Sequence, residues 1–268
     1  TLREARVSFE VPDGPERAAR LASVLEVIYL IFNEGYTATR GDDWVRPPLC
    51  EEALRLGRIL AELMPAEGEV HGLVALLELQ ASRLRTRMGQ GGEPILLLDQ
   101  DRLQWDQLLI RRGLAALERA AASGTLGPDG IQAAIAACHA TARTPEETDW
   151  KRIAALYDAL SQLAPSPVVE LNRAVALAMA YGPAVGLEIV DELMEEPCMA
   201  RYHRLPSVRG DLLARLGRFA EARYEVERAA ALTGNGAERD LLLRRAAEAA
   251  QGQAPPPWPS MDEERQDA

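Results

Sequence analysis

Apolar side chains recur at three and four residues along nearly the whole chain, as in Leu21, Val24, Leu25, Ile28 and Phe32. This is the period of a helix buried on one face, not the alternation of a strand. The spacing predicts helices over about 15–35, 49–64, 68–88, 102–122, 129–142, 146–163, 167–181, 183–195, 200–216, 218–232 and 236–250. Helix starts are marked too: Asp13 with Glu16, Thr144-Pro145 with Glu147, and Asn235 with Glu238 each set a capping side chain three residues ahead of a carboxylate. Ser166-Pro167 adds a cap followed by proline in the first turn. One run departs from helical period. Pro94-Ile95-Leu96-Leu97-Leu98-Asp99, after the glycine-rich turn at 89–92, reads as a loop that dips into the core. The fold class expected is all-α.

In the second half the pattern repeats. Gly210, Leu213, Gly217, Phe219, Ala222, Val226 and Ala229 fall at the spacing of a tetratricopeptide repeat, with small residues where two helices touch and a glycine at the turn. Val175, Ala178, Gly182, Ala184, Leu187, Asp191 and Met194 follow the same template more loosely. With a helix pair near 129–163, these predict antiparallel helix pairs stacked as a degenerate tetratricopeptide-like superhelix, capped by the helix at 236–250. An irregular helical bundle is the alternative. The expected division is a linker at 1–14, an N-terminal helical region at 15–125, the repeats with their capping helix at 126–250, and a disordered Pro/acidic tail at 251–268.

The net charge of −11, from 30 basic and 41 acidic side chains, excludes broad binding to nucleic acid or anionic membrane. Three well-separated cysteines without a CxxC pair suit a reduced, cytoplasmic setting. No metal, cofactor or catalytic residue is expected. His71, His139 and His203 lack ligand partners at helical spacing, and the turn at 89–92 lacks the Lys-Ser/Thr of a phosphate loop. An enzyme using the Cys138-His139 region ranks third among the functions considered.

Stacked helix pairs present surfaces that bind peptides or other domains. Asn172, Arg173 and, one repeat on, Asp211 are candidates for such a surface, although a merely solvated face accounts for them as well. Two further segments stand out. Asn33 and Glu34 interrupt the apolar end of a helix, where a buried polar pair needs partners, so with Tyr36 of the same segment they form an internal clamp or an interface. In Asp99-Gln100-Asp101-Arg102-Leu103-Gln104-Trp105, Asp99 or Asp101 is placed to cap the next helix, with Trp105 packed beneath it.

The segments VLEVIYLIFNEGY (24–36), EVHGLVALLELQASR (69–83), ILLLDQDRLQWD (95–106), GIQAAIAACHA (130–140), DWKRIAALYDAL (149–160), SPVVELNRAVALAMAYGP (166–183) and LPSVRGDLLARLGRFAEAR (205–223) arrive in a familiar order. Together they resemble the tetratricopeptide-like C-terminal extension of one group of extracytoplasmic-function RNA polymerase sigma factors. The likeness covers roughly residues 1–250, and TLREARVSFEVP at 1–12 looks like the last helix of an upstream sigma domain running into a linker. The chain, beginning at Thr1, is accordingly expected to be the downstream piece of a longer protein. The resemblance implies a regulatory or interaction module without catalytic residues. Its implied partners are core RNA polymerase and the sigma factor's own upstream domains, with promoter DNA reached only through those domains and no membrane contact. The family's N-E-G-Y segment falls on Asn33, Glu34, Gly35 and Tyr36, and its L-D-Q-D-R-x-x-W segment on Leu98 through Trp105. These are expected to hold the extension's fold and an interface. The competing reading is a free-standing helical-repeat scaffold with a peptide groove near Asn172, Arg173 and Asp211.

Overall fold

The computed structural model describes residues 14–258. Among these, eleven α-helices account for the architecture: α1 (Gly14–Tyr36), α2 (Pro47–Leu63), α3 (Gly68–Ala81), α4 (Gln107–Ala122), α5 (Pro128–Thr141), α6 (Trp150–Leu163), α7 (Pro167–Tyr181), α8 (Pro183–Leu193), α9 (Arg204–Arg215), α10 (Phe219–Leu232) and α11 (Gly236–Ala250). Four single 3₁₀ turns interrupt the connections, and the described residues contain isolated bridges but no strand. The all-α expectation holds. The expected linker segment up to Asp13, the Asp13 cap and tail residues 259–268 lie outside the described residues.

Each helix packs on the next in sequence, so most contacts are local. The N-terminal region is organised around α3, whose residues Val70 to Leu79 are buried on every side and which touches α1, α2, α4 and α5. A short helix apolar all round is a core helix, and α3 has no solvent stripe to present. Its one buried acid, Glu78, is held by Arg58 of α2 at 2.8 Å. In the C-terminal region α7 pairs with α8 and α9 with α10, which matches the expected antiparallel pairs. Gly210 lies where α9 meets α10: a Cβ there would stand 2.6 Å from Val226 Cγ2, so only glycine allows this approach. Gly217, at φ +75°, makes the turn between them. In the α7–α8 pair the corresponding close approach is made by Gly186 against Ala174 and Ala178, a residue the repeat template did not pick.

Four helix boundaries differ from the periodic reading, three of them for visible local causes. The helix expected over 68–88 ends at Ala81, because Ser82 Oγ donates to the Leu79 carbonyl and the Ser82 carbonyl accepts from Asp106 N. The helix expected from 102 begins at Gln107. Asp106 caps it through Leu108 N and Leu109 N, whereas Asp101 caps only the 3₁₀ turn Arg102–Gln104, and Asp99 caps neither. The helix expected from 146 begins at Trp150 under an Asp149 cap, and Glu147 accepts from Arg143 N instead of closing a box with Thr144. The helix expected from 200 begins at Arg204, after the 3₁₀ turn Pro197–Met199. The Asn235 and Ser166 caps form as expected. The segment 94–99 does enter the core: Pro94 is buried, and Leu97 and Leu98 pack on two different clusters.

The tail also differs from expectation over its described part. Trp258 packs on the C-terminal core, the Arg215 guanidinium lies 4.2 Å from its ring centre, and Arg215 donates to the Pro256 carbonyl. At the opposite end of the chain, the α1–α2 loop meets the α10–α11 loop. Asn235 Nδ2 donates to the carbonyls of Ala38 and Asp43, and Gly236 N donates to the Gly41 carbonyl.

Candidate interaction site

The two polar segments singled out in the sequence come together. Tyr36, in the last turn of α1, stacks on Phe32 with ring centres 5.5 Å apart, and its other surroundings are cationic. The Arg87 guanidinium carbon stands 3.6 Å from the Tyr36 ring centre and 5.6 Å from that of Trp44. Arg83 lies 5.7 Å from the Tyr36 ring and 6.0 Å from that of Trp105, and Arg102 lies 5.2 Å from Trp105. Trp44, Arg87, Tyr36, Arg83, Trp105 and Arg102 thus form a ladder in which rings and guanidiniums alternate. The quadrupole of each ring face offsets part of the repulsion between neighbouring cations.

The ladder is fixed by backbone acceptors. Arg87 donates to the Tyr36 carbonyl and to Thr37 Oγ1; Arg102 donates to the carbonyls of His139 and Ala142 and to Thr148 Oγ1. Both arginines therefore sit on the carbonyl ends of helices, α1 and α5, where positive charge is favoured. Arg83 donates to Gln80 Oε1. Burial lowers the pKa of Arg87 and of Arg102, and the charge of Arg83 lowers both further. His139, in the same neighbourhood and edge-on to Trp150, is held neutral, its pKa pushed down to about 3 by burial and by Arg83 and Arg102.

The remaining candidates take structural places. Glu34 binds Arg46 at 2.6 Å and accepts from Thr39 N and Oγ1, which ties the α1–α2 loop. Asn33 hydrogen-bonds the Tyr29 hydroxyl, which in turn donates to Gln132 Oε1 of α5. Trp105 is buried and packs in one cluster with Ile110 of α4, the helix it was expected to lie beneath, and Asp99 is exposed. Arg173 closes α6 onto α7 through Asp158 at 2.5 Å and also binds Glu170, whereas Asp211 binds Arg215 and Arg245. Asn172 is exposed. Arg173 and Asp211 thus spend their charge on ion pairs within the chain.

Residues 20–121 match the model of a family of unknown function, DUF6596. The match takes in α1 to α4 and all six ladder residues. An uncharacterized protein of Rhizobium meliloti (strain 1021) is 49% identical over 234 residues, which is 87% of this chain and 55% of that protein. The chain thus spans about half the length of this curated relative.

Sequence reasoning missed Arg83, Arg87 and Trp44, which complete the ladder. Arginine is abundant throughout the chain, so no single one stood out. A second group also escaped it. Glu69 and Asp129 line a cavity of ≈ 520 Å³ beneath α1 together with Leu21, Leu25 and Tyr29. Burial and the nearby Glu69 charge raise the Asp129 pKa to about 7, although its place in the first turn of α5 favours the anion. Among the described residues no cluster of His, Cys, Asp or Glu has the makings of a metal site, and no helix is long and apolar enough to cross a membrane. Cys50 and Cys138 are buried, and burial raises both thiol pKa values, that of Cys50 to about 12.

Proposed function

We propose that this chain is the C-terminal regulatory and interaction domain of an extracytoplasmic-function RNA polymerase sigma factor. It modulates promoter-dependent transcription through contacts with the factor's own upstream domains or with core polymerase, in the cytoplasm and without chemistry of its own. The observation that carries this reading is the outer face of α1 and α2. Val24, Val27, Ile59 and Leu63 border a groove of ≈ 460 Å³, with Val27 55% and Leu63 74% exposed. A contiguous apolar surface of this kind marks a protein contact. It lies on the first two helices, next in sequence to the segment that resembles the end of a sigma domain. The charge of −11 suits a basic protein surface and disfavours DNA.

The test is a titration of the purified chain against the upstream domains of the same full-length protein, expressed separately, and against core polymerase. Binding in the micromolar range is expected, falling by at least about tenfold in Val27→Asp/Leu63→Asp because a buried unpaired carboxylate opposes association. Absence of binding to either partner at tens of micromolar would overturn the reading.

A further inference from the structure

The cavity beneath α1 owes its floor to a close crossing of α3 and α5. A Cβ on Gly72 would stand 2.7 Å from Gly130 N, so the two backbones meet there and only glycine allows it. Glu69, one turn before Gly72, and Asp129, the neighbour of Gly130, are thereby set side by side. Gly127 offers α5 no side-chain cap. Glu69 lies over Gly127 instead, and its carboxylate accepts from Asp129 N at 3.2 Å. Glu69 thus has a structural place, as a cap that α3 supplies to α5.

Asp129 has no such place. Among the described residues no cation pairs with its carboxylate and no group donates to it, and burial and Glu69 together raise its pKa to about 7. An acid kept half-buried without a partner lowers stability, and such costs concentrate at binding sites. The surroundings say what would offset it. The cavity, ≈ 520 Å³, has the size of a small-molecule site. Leu21, Leu25 and the exposed Ala18 and Ala22 of α1 give it an apolar wall. Its charged lining is Glu26 of α1, Glu67 and Glu69 at the start of α3, and Asp129, against Arg17 alone, which already lies 4.0 Å from Glu67. Tyr29, the other titratable group of the lining, donates to Gln132 of α5. An excess of negative charge beside an apolar wall attracts a cation with a hydrophobic body, and the net charge of −11 acts in the same sense.

We infer that this cavity is a binding site for a small organic cation, an amine joined to an apolar body, with Asp129 as its counter-ion. The ammonium donates to the Asp129 carboxylate, and the body lies against Leu21, Leu25 and the alanines of α1. A bare metal ion is a poorer fit, because among the described residues no group of three or more His, Cys, Asp or Glu is placed to hold one. The inference goes beyond the proposed function. The cavity is separate from the apolar groove between α1 and α2, and either assignment can fail without the other.

The experiment is isothermal titration calorimetry of the full chain with 4-phenylbutylamine at pH 5.5 and pH 8. The neutral 4-phenylbutanol, the anionic 4-phenylbutyrate and spermidine, a cation without an apolar body, serve as controls. At pH 8 the amine should bind at least about tenfold more tightly than each control, the value of one charge-assisted pair. Its affinity should fall about tenfold or more at pH 5.5, where Asp129 is protonated and the amine is still charged. Asp129→Asn should bind the amine and the alcohol alike and lose the pH dependence. Ala22→Phe, at an exposed position that leaves the fold intact, should weaken the amine severalfold by filling the apolar wall. The assignment is overturned if the amine does not bind at millimolar concentration, or if the alcohol or the butyrate binds as tightly, which would mark an apolar cleft alone. Equal binding of spermidine would mark a diffuse acidic surface and overturn it too. So would undiminished binding of the amine at pH 8 by Asp129→Asn or by Ala22→Phe.

Discussion

Two buried titratable side chains set opposite pH dependences. His139 has a folded pKa near 3 against about 6.5 when unfolded, so the unfolded chain takes up protons first and stability is lost as pH falls below about 6.5. Asp129 has a folded pKa near 7 against about 3.8, so its contribution is fully present below about 3.8 and is lost as pH rises towards 7. Asp129→Asn removes the second effect alone. The variant should match the parent near pH 4 and exceed it at pH 8 by about 2 kcal/mol. This is less than the full shift implies, because the carboxyl keeps some solvent access. Urea unfolding at both pH values checks this, and an unchanged difference between them would show that Asp129 ionises freely. Arg102 makes a second case. Arg102→Met keeps the stem packed on Trp105 but leaves the carbonyls of His139 and Ala142 without their donor, and should cost about 2–3 kcal/mol. A denaturation midpoint equal to the parent's would mean that water replaces the guanidinium.

At the scale of elements, helix existence was legible because burial of one face imposes the 3.6-residue period on the sequence. Boundaries were less so, because they depend on partners distant in sequence. Asp106 rather than Asp99 or Asp101 caps α4, since Arg102 is drawn away towards the end of α5 and bends the chain before it. The ladder was half legible for the same reason. Tyr36, Arg102 and Trp105 lay in the two segments that stood out, whereas Arg83 and Arg87 fell inside the helix expected over 68–88, where nothing set them apart from other arginines. The close approach of α9 to α10 at Gly210 was readable, because such contact demands small residues at fixed spacing, whereas the Gly186 approach of α7–α8 was missed. Gly210→Val should therefore force α9 from α10 and destabilise the chain by about 1–3 kcal/mol. Thermal unfolding monitored by circular dichroism tests it. An unshifted transition would mean that Val226 repacks without cost.

For the molecule as a whole, the junction between the first and last inter-helix loops could not be read from the sequence. Asn235 looked like a capping residue, and it is one, accepting from Glu238 N. Its amide group also holds Ala38 and Asp43, almost two hundred residues earlier. Asn235→Asp preserves the cap but turns the donor that faces those two carbonyls into an acceptor. We expect it to cost about 2 kcal/mol or more, with Asn235→Ala costing the cap as well. Hydrogen exchange at α1 and α11 together reports the outcome; faster exchange confined to α11 would show that the junction bears no load.

An open stack of helix pairs grows or shrinks by whole repeats and frays from its ends, since each unit touches only its neighbours. Here the α1–α2 loop is bonded to the α10–α11 loop, so the number of intervening helices is fixed by the need to bring Gly41 and Asn235 into register. Inserting or deleting a helix pair between them would therefore break this junction, whereas changes of loop length and of side chains away from it would leave it closed.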